Sequence, residues 1–344
     1  MTLPDRSPVM AREEDLPFFH SVYGLRLASN VAVPGLSVIS NSDGIEDVRI
    51  RLKQDGFPLP ASALGCEVFH VGRFKNSNGE PAFRAGFLGG GTHFEFSYCD
   101  GTRFIVDCHG HEIFADWPVR LTLEDISPYL VGPILGLVLR LHGVFPLHAS
   151  AVAIGDQAIA LMGPAGAGKS TTAGAFARCG YRVISDDVAA LKQEGSRFVI
   201  PPGYPRVNVW ADSVQTLFGA NANLPLISPD WDKHFMPLDQ ETQFEIRSLP
   251  LGAIYVLQKR EAGLTAPIVE NVTGAEAFLA ILGNTYMNYL PDLRMRRHEF
   301  EVIGRVLAQV PVRRVRPAAD SSMLFDLCEA IVTETRALIP SPAL

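Results

Sequence analysis

No Cys-x-x-Cys pair occurs anywhere in the chain. Its five cysteines, Cys66, Cys99, Cys108, Cys179 and Cys328, are odd in number and scattered. That pattern argues against a disulfide framework or a zinc site and fits a reducing compartment. Runs of Lys and Arg are missing as well. The densest basic cluster is Arg294, Arg296 and Arg297, which reads as a solvated helix start. With a net charge of −7 and a pI near 5.7, the composition excludes a general nucleic-acid binder. Long apolar runs are lacking too. The longest, residues 129–139, falls short of the roughly 20 needed to span a bilayer. Asp5, Arg6, Arg12, Glu13, Glu14 and Asp15 leave no signal-peptide apolar core at the start. There is no internal repeat and no low-complexity tract. The expectation is a cytoplasmic protein with no membrane and no nucleic-acid partner. What is present is ordinary: 344 residues, 47% hydrophobic and 19% charged, enough for two domains.

One stretch is not ordinary. Gly163-Pro164-Ala165-Gly166-Ala167-Gly168-Lys169-Ser170 fits G-x-x-x-x-G-K-[ST] at every fixed position. Residues 158–162 before it read as a buried strand, and residues 171–178 after it as a helix closed by Gly180. Glycines let backbone N–H groups converge on phosphate oxygens, and the helix N-terminus adds a favourable dipole. Lys169 can reach the β- and γ-phosphates, and the Ser170 hydroxyl can ligate Mg²⁺. The loop, with Thr171 beside it, is the expected ATP site.

Residues 1–126 read as a β-rich N-terminal domain. Residues 47–52 alternate polar and apolar, and residues 94–98 and 103–106 flank the hairpin signal Asp100-Gly101. His109 and His111 near Cys108 have no further metal ligand in sight, so a surface turn is expected there. Residues 127–145 read as a connecting apolar helix, with Ser127 as N-cap and Gly143 as stop. Residues 146–344 alternate strand and helix signals and form an α/β nucleotide-binding domain. Within it, residues 207–210 read as a strand and 212–218 as a helix. Residues 220–244 read as a polar loop, 253–257 as a strand, and 274–290, 297–309 and 320–337 as helices.

Two further positions gain meaning from the loop. Gly155-Asp156 is a two-residue turn between apolar strands, so residue 154 should pair with 157 and His148 should fall opposite Gly163. A histidine there can contact the γ-phosphate or orient the attacking group; capping a strand start is the plainer role. Asp186-Asp187 ends a strand, residues 181–185, that arrives after the loop helix. A strand–helix–strand crossover makes the two strands parallel and brings the second strand's carboxyl end beside the loop. A carboxylate there can hold Mg²⁺ or accept a substrate proton.

Leu147-His148, the glycine loop and Asp186-Asp187 together resemble the HPr kinase/phosphorylase family. Gly163 lies fifteen positions after His148, and Asp186 seventeen after Lys169, as in that family. The resemblance spans residues 145–220. It implies an HPr-kinase-like P-loop fold with a mixed sheet and flanking helices. It also implies Asp186 as general base toward an acceptor serine. With that role placed, Ser170 and one carboxylate of the pair, Asp187 in the favoured assignment, are the expected metal ligands, and His148 and Arg206 are expected near the γ-phosphate. The family's Glu-Ile-Arg-Gly signature is not in place, since Tyr204-Pro205-Arg206-Val207 stands there; Glu245-Ile246-Arg247-Ser248 occurs much later. Leu147-His148-Ala149-Ser150 and Pro202-Gly203-Tyr204-Pro205-Arg206 resemble the branch found beside lasso-peptide and other peptide-modifying enzymes. That branch implies a precursor peptide with a C-terminal serine as substrate.

The expected protein is therefore an ATP- and Mg²⁺-dependent kinase acting on a serine of a peptide or protein. A small-molecule kinase and a non-enzymatic ATP-binding regulator or assembly factor are the rival readings. Lys233 in the polar loop is either a neutraliser of transition-state charge or a solvated lysine. The acceptor's identity and the oligomeric state, a homo-oligomer included, stay open.

Overall fold

The computed structural model describes residues 16–40, 44–56, 66–76, 78–227, 232–290 and 292–338. The first strands are β1 (Phe18–Val22), β2 (Leu25–Ser29), β3 (Val38–Ile39), β4 (Val48–Gln54), β5 (Cys66–Val71), β6 (Phe83–Leu88), β7 (His93–Tyr98), β8 (Arg103–Asp107) and β9 (Glu112–Trp117). They form one sheet in the order β3-β1-β2-β4-β9-β8-β7-β6-β5. In β4 the residues Val48, Ile50 and Leu52 are buried and alternate with more exposed ones, the pattern of a strand with one covered face. The β7–β8 hairpin turns at Asp100-Gly101. Phe96 pairs with Phe104, and Gly101 takes a φ of +92° that a side chain resists.

The connecting helix starts earlier than expected. Thr122 is its N-cap, in a capping box with Asp125, and α1 runs Leu123–Tyr129. Ser127 is therefore no cap; it lies inside the helix and donates its hydroxyl to the Leu123 carbonyl at 2.7 Å. The Thr122-x-x-Asp125 box outcompetes Ser127 because it satisfies two N-terminal backbone groups reciprocally. A wider π-type stretch, Leu130–Ile134, follows before α2 (Leu135–Leu141). Pro133 has no N–H to give the preceding turn, which accounts for the widening. Gly143, at φ +73°, ends the segment as expected.

The remaining strands are β10 (Phe145–Leu147), β11 (Ala149–Ile154), β12 (Gln157–Met162), β13 (Val183–Ser185), β14 (Ala189–Glu194), β15 (Arg197–Ile200), β16 (Arg206–Trp210), β17 (Lys233–Pro237), β18 (Leu249–Leu257), β19 (Ile268–Val272) and β20 (Val312–Arg316). The helices are α3 (Lys169–Arg178), α4 (Ala211–Phe218), α5 (Gly274–Gly283), α6 (Leu293–Leu307) and α7 (Leu324–Leu338). A second, mixed sheet runs β10-β14-β15-β18-β12-β11-β13, with β20 beside β18 and β19 outside it. Both faces are covered. Val152, Ile159 and Leu161 pack with α3 and α7; Ala151, Ala158, Ala160 and Met162 pack with α5 and α6. Strands buried on two faces read as continuous apolar runs, which is how residues 149–162 read.

The β11–β12 register runs from Ile154↔Gln157 to Ala149↔Met162, as the Gly155-Asp156 turn requires. Strand β13 is antiparallel to β11 and so runs in the same sense as β12. The α3 crossover thus spans one intervening strand. Residues 220–244 are not loop throughout, since β17 pairs with β16 there. The helix expected over 274–290 stops at Gly283, with Asn284 as its C-cap. Residues 284–286 then join the edge of β10: Thr285 bridges Leu147 and the Tyr286 N–H reaches the Pro146 carbonyl at 2.9 Å. The expected 297–309 helix begins at Leu293 because Asp292 caps it, accepting from Arg294 and Met295 N–H groups. Among the described residues no helix is long and apolar enough to cross a membrane.

One hydrophobic cluster joins Tyr23, Leu27 and Ile50 of the first sheet, Leu130, Leu135 and Val138 of the connecting helix, and Val188, Ala190, Tyr204, Met287 and Leu290 beyond it. Gly136 lets the helix lie close against the Tyr286 ring. A Cβ there would lie 2.5 Å from Cδ1 and 2.8 Å from Cε1 of Tyr286. Gly136→Ala should cost about 1–3 kcal/mol by overpacking. Urea unfolding measures it, and an unchanged midpoint would show that the Tyr286 ring yields freely.

Candidate functional site

The phosphate-loop sequence leaves β12 at Gly163. A Cβ on Gly163 would sit 2.3 Å from the Leu257 carbonyl oxygen, so the close approach of β12 to the end of β18 demands glycine. Its N–H donates to Asn284 Oδ1 at 3.1 Å. Pro164, Ala165 and Gly166 are exposed and Ala167 is buried. Gly166 and Gly168 adopt φ of +79° and +93°, the second at the N-terminus of α3. The first-turn N–H groups of α3 lack intrahelical acceptors, as at any helix start, and donors so placed can face an anion. Lys169 is buried, and its Nζ donates to the Gly163 carbonyl at 3.0 Å. Burial pulls the ammonium pKa down, Asp187 and Asp186 push it back up, and Lys233 opposes them. Ser170 is half-buried in the same first turn. The Thr171 hydroxyl meets that of Ser213 on α4 at 2.7 Å, which ties it to the protein rather than to the loop's open side.

The two aspartates differ sharply. Asp186 is 1% exposed. It accepts the Ser150 hydroxyl at 2.6 Å and the Asn208 N–H at 2.8 Å, one on each carboxylate oxygen. Asp187 follows at a left-handed φ of +69°, a conformation that aspartate tolerates better than most residues. Its Oδ1 lies 3.2 Å from His148 Nδ1, and its Oδ2 accepts the Tyr286 hydroxyl at 2.9 Å. The side chains of His148 and Asp187 are 40% and 28% exposed, so this pair faces the opening. Burial works to raise the Asp187 pKa, but His148, Lys233 and Tyr286 outweigh it and hold the carboxyl well below the usual range. The His148 N–H donates to the Asn284 carbonyl at 2.7 Å. Asn284 therefore holds both Gly163 and His148, one residue past the Ala149↔Met162 pair.

Arg206 and Lys233 come from the β16–β17 pair. The Arg206 guanidinium lies 4.6 Å from the Tyr204 ring centroid and 5.1 Å from that of Phe235. Lys233 sits 5.8 Å from the Trp210 ring and bears electrostatically on both Asp187 and Lys169. The Glu245-Ile246-Arg247 string lies at the other end of the sheet. The Glu245 N–H donates to the carbonyl of Val183, the first residue of β13, and Arg247 links Glu245 to Asp156 in the far turn. His109 and His111 flank Gly110 in a turn, with His111 near His142 at 5.4 Å between ring centroids. Among the described residues no group of three or more His, Cys, Asp or Glu is arranged to hold a metal. Magnesium commonly takes one or two carboxylates and completes its shell with water and substrate phosphates. Ser170 with the partly exposed Asp187 fits that donor chemistry.

Sequence reasoning missed Asn284, Tyr286 and Asn208. Asn284 and Tyr286 were hidden inside an over-long helix. Asn208 acts through its backbone N–H, which no side-chain motif reveals.

No protein-family model matches the chain, and no curated protein matches it. Among solved structures, the HPr(Ser) kinase/phosphatase from Coxiella burnetii is similar over 56% of this chain and 98% of that one, at 14% identity and a TM-score of 0.28. A TM-score of that size carries no functional argument.

The Asp187 shift has a sign. Its folded pKa lies below the unfolded value of 3.8, so its contribution to stability is complete above that value. As the pH falls from there through the folded pKa, the contribution is lost. Asp187→Asn should flatten this acid limb while leaving the rest of the pH–stability curve in place. Thermal unfolding from pH 2 to 7 measures it; parallel acid limbs in the two proteins would refute the pairing.

Proposed function

We propose that the chain is an ATP- and Mg²⁺-dependent kinase that transfers the γ-phosphoryl group to a serine hydroxyl of a peptide or protein, with a C-terminal serine of a precursor peptide as the favoured acceptor. The observation that carries this reading is the glycine loop between β12 and α3, with the Lys169 ammonium buried on the Gly163 carbonyl, in the same sheet as the strand β13 that leads into Asp186-Asp187. Phosphoryl transfer asks chiefly for positioning and charge neutralisation, and these are the groups that provide both. The backbone of residues 163–169 and Lys169 would hold the triphosphate. Ser170 and Asp187 would hold Mg²⁺, which neutralises phosphate charge when bound. Lys233 and Arg206 add positive charge on the acceptor side. The terminal-serine acceptor is supported by the resemblance at residues 147–150 and 202–206, and by the ease with which a chain end enters a cleft.

The resemblance gives the acceptor's proton to Asp186. That carboxylate is 1% exposed and already held by Ser150 and Asn208, so an acceptor hydroxyl has poor access to it. His148 is the open end of a Tyr286–Asp187–His148 chain, a base oriented by a carboxylate. In this proposal His148 receives the proton and Asp186 holds the strand ends in place.

The decisive experiment is intact-mass analysis of serine-terminated peptides and their alanine-terminated counterparts with ATP. One added phosphate in the serine form alone is expected. Phosphorylation of a metabolite with none on any peptide would overturn the acceptor assignment. Lys169→Ala should abolish transfer, since a compact cation on the β/γ-phosphates is lost.

The proton role is tested separately. His148→Ala should fold and bind nucleotide normally yet transfer roughly 10²–10⁴-fold more slowly. Asp186→Asn should instead lose about 1–3 kcal/mol of stability, because an amide cannot accept from both donors. A stably folded Asp186→Asn with the larger rate loss would return the base role to Asp186.

A further inference from the structure

The first sheet reaches into the site through one residue. Tyr23 and Gly24 form the two-residue turn between β1 and β2, since Val22 pairs with Leu25. Both take positive φ, +56° and +77°. Such turns favour Asn-Gly or Gly-Gly; a bulky aromatic at φ above zero is an outlier that something else must hold. The holding contacts are visible. The Tyr23 N–H donates to the Pro202 carbonyl at 2.6 Å. Gly203 makes room for the ring, because a Cβ there would come within 3.0 Å of Tyr23 Cε1.

The Tyr23 ring is 1% exposed, and its hydroxyl has no hydrogen-bond partner. Arg206 stacks 4.6 Å from the Tyr204 ring centroid, yet its Nε and Nη2 are buried with no hydrogen-bond partner. The charged and phenolic groups bearing on Tyr23 are Tyr204, Asp187, Asp186 and Arg206. Burial chiefly, with Tyr204 and the two carboxylates adding to it, keeps the phenol protonated, hence a donor. A buried tyrosine in an ordinary core finds an acceptor for its hydroxyl, and leaving such donors unpaired is costly. Here three donors lack an acceptor beside the two aspartates of the site. A substrate oxyanion admitted at this edge would supply the missing acceptor.

We infer that Tyr23 and Arg206 form an oxyanion-binding subsite of the proposed kinase site, with one of its two arms supplied by the N-terminal sheet. This rests on the kinase reading for its place in a reaction, but its test does not need transfer to occur. The oxyanion is either that of the transferring phosphoryl group or the terminal carboxylate of the acceptor peptide. Both offer the charged, multidentate acceptor that a guanidinium and a phenol recognise.

The test uses the full chain. The Nε–Hε resonance of Arg206, assigned by its loss in Arg206→Lys, is followed by NMR against three probes. These are a non-hydrolysable ATP analogue alone, ADP with a serine-terminated peptide as free acid, and ADP with the same peptide as its amide. A shift with the analogue assigns the subsite to the phosphoryl group. A shift with the free acid but not the amide assigns it to the carboxylate. Tyr23→Phe should weaken binding of the responding probe roughly tenfold or more, the size of a lost hydrogen bond to a charged group. Its thermal stability should be unchanged or higher, because an unsatisfied hydroxyl is removed. If Tyr23 is merely a core residue, Tyr23→Phe leaves every affinity untouched. A silent Arg206 resonance with all three probes, or unaltered affinities in Tyr23→Phe, overturns the inference. Absence of phosphoryl transfer in the wild type while the resonance still responds would count against the kinase reading alone.

Discussion

The site depends on the burial of one carboxylate. Asp186 follows β13 and takes the Ser150 hydroxyl from β11 on one oxygen and the Asn208 backbone N–H from β16 on the other. A carboxylate at 1% exposure is tolerable only when its acceptors are filled. Filling them fixes three chain segments relative to one another. His148 immediately precedes β11, β16 carries Arg206, and the backbone after Asp186 is turned so that Asp187 points toward His148. A polar group that is expensive to bury thereby specifies where the exposed groups stand.

Around that anchor the surrounding elements converge on the same edge from distant parts of the sequence. The π-type stretch of the connecting helix lies over Asp187: a Cβ on Gly132 would come within 3.4 Å of its Oδ2 and 3.3 Å of the Tyr286 hydroxyl. Residues 284–286 lie against β10 and hold Gly163, His148 and Asp187 through Asn284 and Tyr286. The Arg140–Glu299 ion pair, buried on both sides, ties α2 to α6, and the Arg140 guanidinium also bonds the Met287 carbonyl beside this segment. Two surface cavities, about 250 Å³ between α2 and α6 and about 480 Å³ beside β4 and β9, lie apart from the phosphate loop.

Much of this was legible in the sequence, for local reasons. The Gly155-Asp156 turn dictates the β11–β12 register, the loop glycines mark the start of α3, and an apolar strand ending in Asp186-Asp187 can be read in place. The unread parts are those where tertiary contacts override local signals. Ser127 looks like a cap until the stronger Thr122–Asp125 box is considered. Residues 284–290 read as continuing the helix, but Thr285 bridges Leu147 and the Tyr286 N–H bonds the Pro146 carbonyl, partners that a continued helix would forgo. Tyr23 carries no motif at all. Its meaning comes from Pro202 and Gly203, nearly 180 residues away, and a single sequence has no signal for such a contact.

The distribution of backbone strain follows the same edge. Among the described residues, the non-glycine positions at positive φ are Tyr23, Asp55, Asp187 and Met287. Tyr23 and Asp187 border the site, and Met287 adjoins Tyr286. Each such conformation costs on the order of 1–3 kcal/mol and persists only where neighbouring structure over-determines it. The over-determination differs at each. Tyr23 is held by Pro202 and the space at Gly203, Asp187 by His148 and Tyr286, and Met287 by its place in the shared core and by the bond from Arg140 to its carbonyl. Because the holding groups are themselves partners of the site, relaxing one residue releases its neighbours. The arrangement therefore favours a preorganised constellation, with the stabilising energy drawn from the three packed clusters and not from the site itself.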